Sequence, residues 1–188
     1  DPLRRGPREL GDICAGRLAS RRHAAAAGAM GSCRASGHLT WRKLIPARYH
    51  LFIEKQLTSP VRIIGFGRRE KASDAWRTEL LAALKQFSRT KPINEAKWVE
   101  FAANVEYCQG EFSDPEAYKK LETQLNAFGD PRLRNNLLFY LSTSPSQFAE
   151  VVERVHGAGL LKKETGTNWQ RVVVEKPFGH DLESAQEL

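Results

Sequence analysis

The chain has 188 residues, enough for one domain of ordinary size with its own apolar core. Hydrophobic residues make up 41% and charged residues 27%, a globular balance. With a mean hydropathy of −0.49, no stretch approaches the ~18 apolar residues that a membrane-spanning helix needs. Net charge is +7. Residues 1–33 hold six arginines against three acids, and the rest holds 23 bases against 19 acids. In 34–188 the bases alternate with acids, as in Glu70-Lys71 and Glu153-Arg154. That interleaving favours a few cations set for the phosphates of a small ligand over a continuous nucleic-acid surface. The three cysteines, Cys14, Cys33 and Cys108, are scattered and odd in number. They form neither a disulfide framework nor a zinc spacing, and they fit a reducing compartment such as the cytoplasm.

Residues 1–33 are rich in Arg, Ala and Gly, with no sustained period of 2 or 3.6. A targeting segment, a disordered tail and a segment foreign to the native protein are the available readings. Ala24–Ala27 offers at most one helical turn. Organised pattern begins near Ser36. A helix is predicted over Trp41–Lys55 and a short strand over Val61–Phe66. Over Ser73–Phe87 an amphipathic helix is predicted, with Ser73 as its N-cap and Trp76, Leu80, Leu81, Leu84 and Phe87 on one face. Further predicted elements are a helix in Asn94–Asn104, a strand over Val105–Phe112, and a helix from Asp114-Pro115 to about Phe128. Asn136–Thr143 and Arg171–Glu175 contain the apolar runs of strands buried on both faces. A helix opened by Ser144-Pro145 lies between them, and another spans His180–Leu188. This alternation of strands and helices predicts an α/β fold with a doubly wound, Rossmann-type parallel sheet. Ligands of such sheets sit at the carboxyl ends of the strands.

Three clusters stand where that rule puts chemistry. Ala35-Ser36-Gly37-His38 precedes a helix, so its backbone N–H groups and the helix dipole suit a pyrophosphate; taken alone, one glycine before a helix is more often a simple turn. Gly65-Phe66-Gly67-Arg68-Arg69 ends a strand, where an arginine accommodates the 2′-phosphate of NADP; the alternative is a solvated basic turn. Val174-Glu175-Lys176-Pro177-Phe178-Gly179 sets a lysine directly after a buried strand, held extended by the following proline. The alternative there is a strand end with snorkelling charges. The histidines show no ligand spacing. Cys108, Trp76 and Trp98 read as core.

Taken in order, these clusters resemble the coenzyme-binding domain of the glucose-6-phosphate dehydrogenase family, bacterial type. Arg171-Val-Val-Val-Glu-Lys-Pro-Phe-Gly-His-Asp-Leu-Glu-Ser-Ala185 is similar to the family's R-V/I-V/I-V/I-E-K-P-F-G-x-D-L-x-S-A run. Arg42-Lys43-Leu44-Ile45-Pro46-Ala47 with Tyr49-His50-Leu51 resembles the segment after the family's coenzyme turn. Ile63-Ile64-Gly65-Phe66-Gly67-Arg68 resembles its NADP-selecting strand end, and Leu138-Phe139-Tyr140-Leu141 with Ser144-Pro145 its next strand and turn. The resemblance implies that Ser36 and Gly37 belong to the phosphate turn and that Arg68 meets the 2′-phosphate of NADP. It implies that Lys43 helps to position glucose 6-phosphate. Lys176, before a cis Pro177, holds the sugar near the nicotinamide and so contacts both coenzyme and substrate. The implied reaction is oxidation of the sugar's C1 hydroxyl to a lactone, the first step of the pentose phosphate pathway, in a family whose full-length members are homo-oligomers.

The chain departs from the family in three places. Its turn reads Arg34-Ala35-Ser36-Gly37-His38-Leu39, with arginine in place of a glycine and histidine in place of an acid. No apolar strand is legible before it, so the first strand is expected to be missing or corrupted, as a shift of reading frame upstream of residue 34 would leave it. The expected organisation is an irregular segment, 1–33, and an incomplete coenzyme-binding domain, 34–188. The family's R-I-D-H-Y-L-G-K motif, which carries the general base, lies beyond Leu188. No catalytic residue is therefore assigned, and the expected behaviour of this chain alone is no turnover and, at best, weak NADP binding. The alternatives are a non-catalytic nucleotide- or partner-binding module and another sugar oxidoreductase with a Glu-Lys-Pro strand end.

Overall fold

The computed structural model describes residues 28–33, 39–57, 60–161 and 168–176, with Glu183 and Gln186. Its centre is a five-stranded sheet of order β3-β2-β1-β4-β5 with every neighbouring pair parallel. The strands are β1 (Gly28–Cys33), β2 (Val61–Gly67), β3 (Val105–Gln109), β4 (Asn136–Leu141) and β5 (Trp169–Val174). The helices are α1 (Ile45–Ile53), α2 (Ser73–Phe87), α3 (Glu95–Ala102), α4 (Pro115–Asn126), α5 (Pro131–Asn135) and α6 (Phe148–Gly157). A π-helical turn, Thr40–Leu44, leads into α1, and a 3₁₀ turn, Pro145–Gln147, into α6.

Each strand of the sheet is separated from the next by helix, as parallel connections require. The two faces have separate cores. Ile63, Val105 and Tyr107 meet Ile45 and Tyr49 of α1, Trp76 and Leu80 of α2, and Phe101 of α3. Their sequence neighbours Ile64 and Cys108, with Phe66, Leu137, Phe139 and Leu141, belong to the core that includes Tyr118 and Leu121 of α4 and Phe148 and Val151 of α6. The period-2 alternation of a strand thus becomes a sheet covered by helices on both sides. No helix among the described residues is long and apolar enough to cross a membrane.

The expectation of a missing first strand is corrected. Gly28–Cys33 is a strand and holds the central place, with Met30 opposite Ile63 on one side and Leu138 on the other. Residues 28–33 of the segment expected to be irregular are therefore part of the sheet. Gly-Ala-Met-Gly-Ser-Cys has low strand propensity, but a strand between two neighbours satisfies its backbone donors and acceptors on both sides, and that context outweighs propensity.

Helix ends follow local chemistry. Asn94, Asp114 and Asp130 cap α3, α4 and α5, each side chain accepting from a first-turn backbone N–H. The helix α5 was not expected from the sequence. Ser73 is not an N-cap: Ala72 holds that position, and the Ser73 hydroxyl instead accepts from the Tyr107 backbone N–H at 3.0 Å. This bond ties the start of α2 to β3. Of the helix expected over His180–Leu188 only Glu183 and Gln186 are described, and both are helical; the turn at Ala24–Ala27 lies outside the described residues.

One glycine is set by packing. A Cβ built on Gly110 would stand 2.4 Å from the Ala117 Cβ and 2.7 Å from the Phe66 ring, while its N–H donates to the Gly67 carbonyl at 3.0 Å. Gly110→Ala should lower stability by about 2 kcal/mol through overpacking, read as a lower urea midpoint at unchanged slope. An unchanged midpoint would show that β3 and α4 can separate freely.

Candidate active site at the carboxyl edge of the sheet

The strand order reverses direction at β1, so the crevice expected to bind a ligand lies above β1 and β4. Arg68 and Lys176 flank it. In register, Phe66 lies opposite Cys33, Cys33 opposite Leu141, and Leu141 opposite Val174. Arg68 follows Phe66 by two residues and Lys176 follows Val174 by two, so both leave the same edge at the same height. Three strand spacings separate them, ~14 Å. Both side chains are exposed.

The segment carrying Arg68 is held through its backbone. The Gln109 amide nitrogen donates to the Arg68 carbonyl at 3.4 Å, and the Tyr107 hydroxyl donates to the Arg69 carbonyl at 2.9 Å. Lys71 pairs with Glu79 at 2.5 Å. Burial raises the pKa of Tyr107, against the lowering effect of the nearby Arg69 charge. Arg68 and Arg69 are in no ion pair among the described residues, so their guanidinium forks remain available to an anion.

Lys43 lies in the turn before α1 and is exposed. Its neighbour Arg42 is engaged, with its guanidinium 5.2 Å from the centre of the Phe87 ring. Ser36, Gly37 and Pro177 lie outside the described residues, as do Arg34 and His38. The cis peptide bond among the described residues is Lys91-Pro92.

At the far side of the crevice the Tyr140 hydroxyl donates to the Glu175 carboxylate, immediately before Lys176. Arg48 of α1 stands 6.0 Å from the centre of the Tyr140 ring. Sequence reading assigned no role to Arg48, Tyr107, Gln109 or Glu175, and Tyr140 appeared only within an apolar strand. Their signal is tertiary, because each acts across elements far apart in the chain.

Two features stand apart from the crevice. Cys108 is core, its thiol pushed up to about 11 by burial, which leaves it a poor nucleophile. A cleft of about 600 Å³ lies beside Lys85, Lys91, Pro92, Ile93 and Glu95 and contains none of the expected site residues.

A family model described as "Glucose-6-phosphate dehydrogenase, NAD binding domain" matches residues 33–188. The chain is 39% identical over 157 residues to a glucose-6-phosphate 1-dehydrogenase of Chlamydia pneumoniae, covering 82% of this chain and 30% of that protein. It is 34% identical over 154 residues to glucose-6-phosphate 1-dehydrogenase 2 of Mycobacterium tuberculosis, covering 81% and 30%. A solved glucose-6-phosphate 1-dehydrogenase from Mycobacterium avium superposes with a TM-score of 0.72 at 29% identity, covering 86% of this chain and 32% of that one. A glucose-6-phosphate dehydrogenase solved with its substrate gives 0.73 at 31%, covering 86% and 33%. The chain therefore spans about a third of the length of these relatives. The parallel sheet, the cationic rim and this coverage place the chain in the glucose-6-phosphate dehydrogenase family, as its nicotinamide-coenzyme-binding domain.

Proposed function

We propose that this chain is the coenzyme-binding part of an enzyme that oxidises the C1 hydroxyl of glucose 6-phosphate, with NADP⁺ as the oxidant. The observation that carries the reading is the placement of Arg68 and Lys176 at one height on one sheet edge, on either side of the switch point. NADP⁺ supplies the hydride acceptor. Arg68, with its segment fixed by Tyr107 and Gln109, meets the 2′-phosphate, and the Ser36-Gly37 turn meets the pyrophosphate. Lys43 and Lys176 are the cations for the sugar phosphate and the sugar hydroxyls. Work of this kind is positioning: the residues bring C1 within reach of the nicotinamide and exclude other orientations. The buried free thiol of Cys108 suits a cytoplasmic, reducing setting.

The test is titration of the chain with NADP⁺ and NAD⁺, wild type against Arg68→Ala. A charge-assisted bond to phosphate contributes about 2 kcal/mol. The variant should therefore bind NADP⁺ about 30-fold more weakly, with NAD⁺ affinity held within about twofold. Equal losses for both coenzymes would remove Arg68 from the 2′-phosphate. Absence of NADP⁺ binding by the wild type would remove the reading itself.

A further inference from the structure

We infer that Tyr140, backed by Arg48, is a positioning residue for Lys176, fixing the strand end from which that lysine reaches the crevice. The inference rests on the functional reading above and adds residues that it does not use. Leu141 is opposite Val174, so Tyr140 and Val173 are neighbours in register and the Tyr140 hydroxyl reaches one pleat further to Glu175. Glu175 is the last residue before Lys176 and lies beyond the ladder of β5, which ends at Val174. Backbone pairing therefore stops where the chemistry begins, and the side-chain bond from Tyr140 takes over the restraint. A phenol donating to a carboxylate is a charge-assisted bond, stronger than a neutral one.

Arg48 supports the tyrosine from the other side. It is 7% exposed, and its Nη1 has no hydrogen-bond partner among the described residues. Its guanidinium lies over the Tyr140 ring. A cation over the ring face holds the ring in place and draws electron density from it, which strengthens the hydroxyl as a donor. Arg48 belongs to the helix that follows the turn bearing Lys43. The chain Arg48–Tyr140–Glu175 thus joins the helix on the Lys43 side of the crevice to the strand end carrying Lys176.

The test is a double-mutant cycle on the full chain, made from Tyr140→Phe and Lys176→Ala and read by calorimetric titration with glucose 6-phosphate and with NADP⁺. Tyr140→Phe should weaken binding of the Lys176-dependent ligand about five- to tenfold in the wild-type background and leave it unchanged in the Lys176→Ala background. Glu175→Gln, which keeps an acceptor for the hydroxyl, should recover part of the loss that Glu175→Ala causes. Equal losses in both backgrounds would show a general structural effect and overturn the inference. If Lys176→Ala itself has no effect, the reading of Lys176 fails first. A ligand-free measurement decides the positioning role in that case. The amide order parameters of Glu175 and Lys176 should fall in Tyr140→Phe, and unchanged values would overturn it.

Discussion

Arg48→Met is expected to raise the stability of this chain while weakening its ligand binding. Arg48 is buried, and burial alone pulls its guanidinium down to about 10 from 12.5. It stays protonated at neutral pH. A fall of that size corresponds to about 3 kcal/mol disfavouring the folded, charged form. The ring of Tyr140 returns about 1 kcal/mol. Methionine keeps the length and the helix preference of the position without the charge. A net gain of about 2 kcal/mol should lift the melting temperature by roughly 4–8 °C for a chain of this size. The sign with pH is definite. Arginine is protonated in both the folded and the unfolded chain below pH 10, so the cost is borne in full at pH 7. It is relieved only as pH rises through about 10 toward the unfolded value. The advantage of Arg48→Met should therefore be flat across neutral pH and shrink in strong alkali. A lower melting temperature at pH 7 would mean that the guanidinium is solvated or paired, and would also remove its role beneath Tyr140. A cation kept where it lowers stability is what a positioning role predicts, since such sites trade stability for function.

Trp76→Ala is expected to be the most damaging single change in the helix-covered core beside β2 and β3. Trp76 is fully buried, with Tyr107 5.5 Å away between ring centres and Leu80 and Leu84 in the same cluster. Truncation removes the transfer energy of an indole and leaves a cavity, about 3–5 kcal/mol. For a domain whose total stability is about 5–15 kcal/mol, that is a large fraction. Chemical unfolding should show a midpoint shift of that size. Loss below about 1 kcal/mol would mean that α2 does not pack where the structure puts it. Trp76→Phe should cost much less than its area suggests, because the buried indole N–H has no partner among the described residues and its removal relieves an unmet donor. The Ala variant should also loosen the Arg68 segment. Tyr107 packs on Trp76 and donates to the Arg69 carbonyl, so a shift of one ring reaches the rim of the crevice.

Most of the helices and four of the strands are legible from local pattern, because each has a strong apolar period or a capping residue. Asp114-Pro115 announces α4, and Val172-Val173-Val174 announces a strand, although β5 is an edge of the described sheet and its residues are only partly buried, not buried on both faces as expected. The exceptions have physical causes. β1 is built from small residues whose strand character exists only between two partners. α5 is five residues long, too short for any period to register. Ser73 resembles an N-cap because serine often is one, but its hydroxyl has a better partner in β3. Among the proposed site residues, Arg68 and Lys176 could be named because they follow strand ends, and Lys43 only because the family resemblance implies it. Tyr140, Glu175 and Arg48 could not, since nothing along the chain says which side chains a sheet will bring face to face.

The sequence by itself determined the alternation of strands and helices, the sites where strands end in cations, and the family likeness of those ends. These are properties of contiguous residues, set by side-chain period, charge and turn chemistry. Only the tertiary structure decided that β1 exists and is central, that Arg68 and Lys176 stand at one height across the switch point, and that a buried arginine, a tyrosine and Glu175 come together beside the second of them. Those are matters of register and burial, which arise when elements distant in sequence exclude water together.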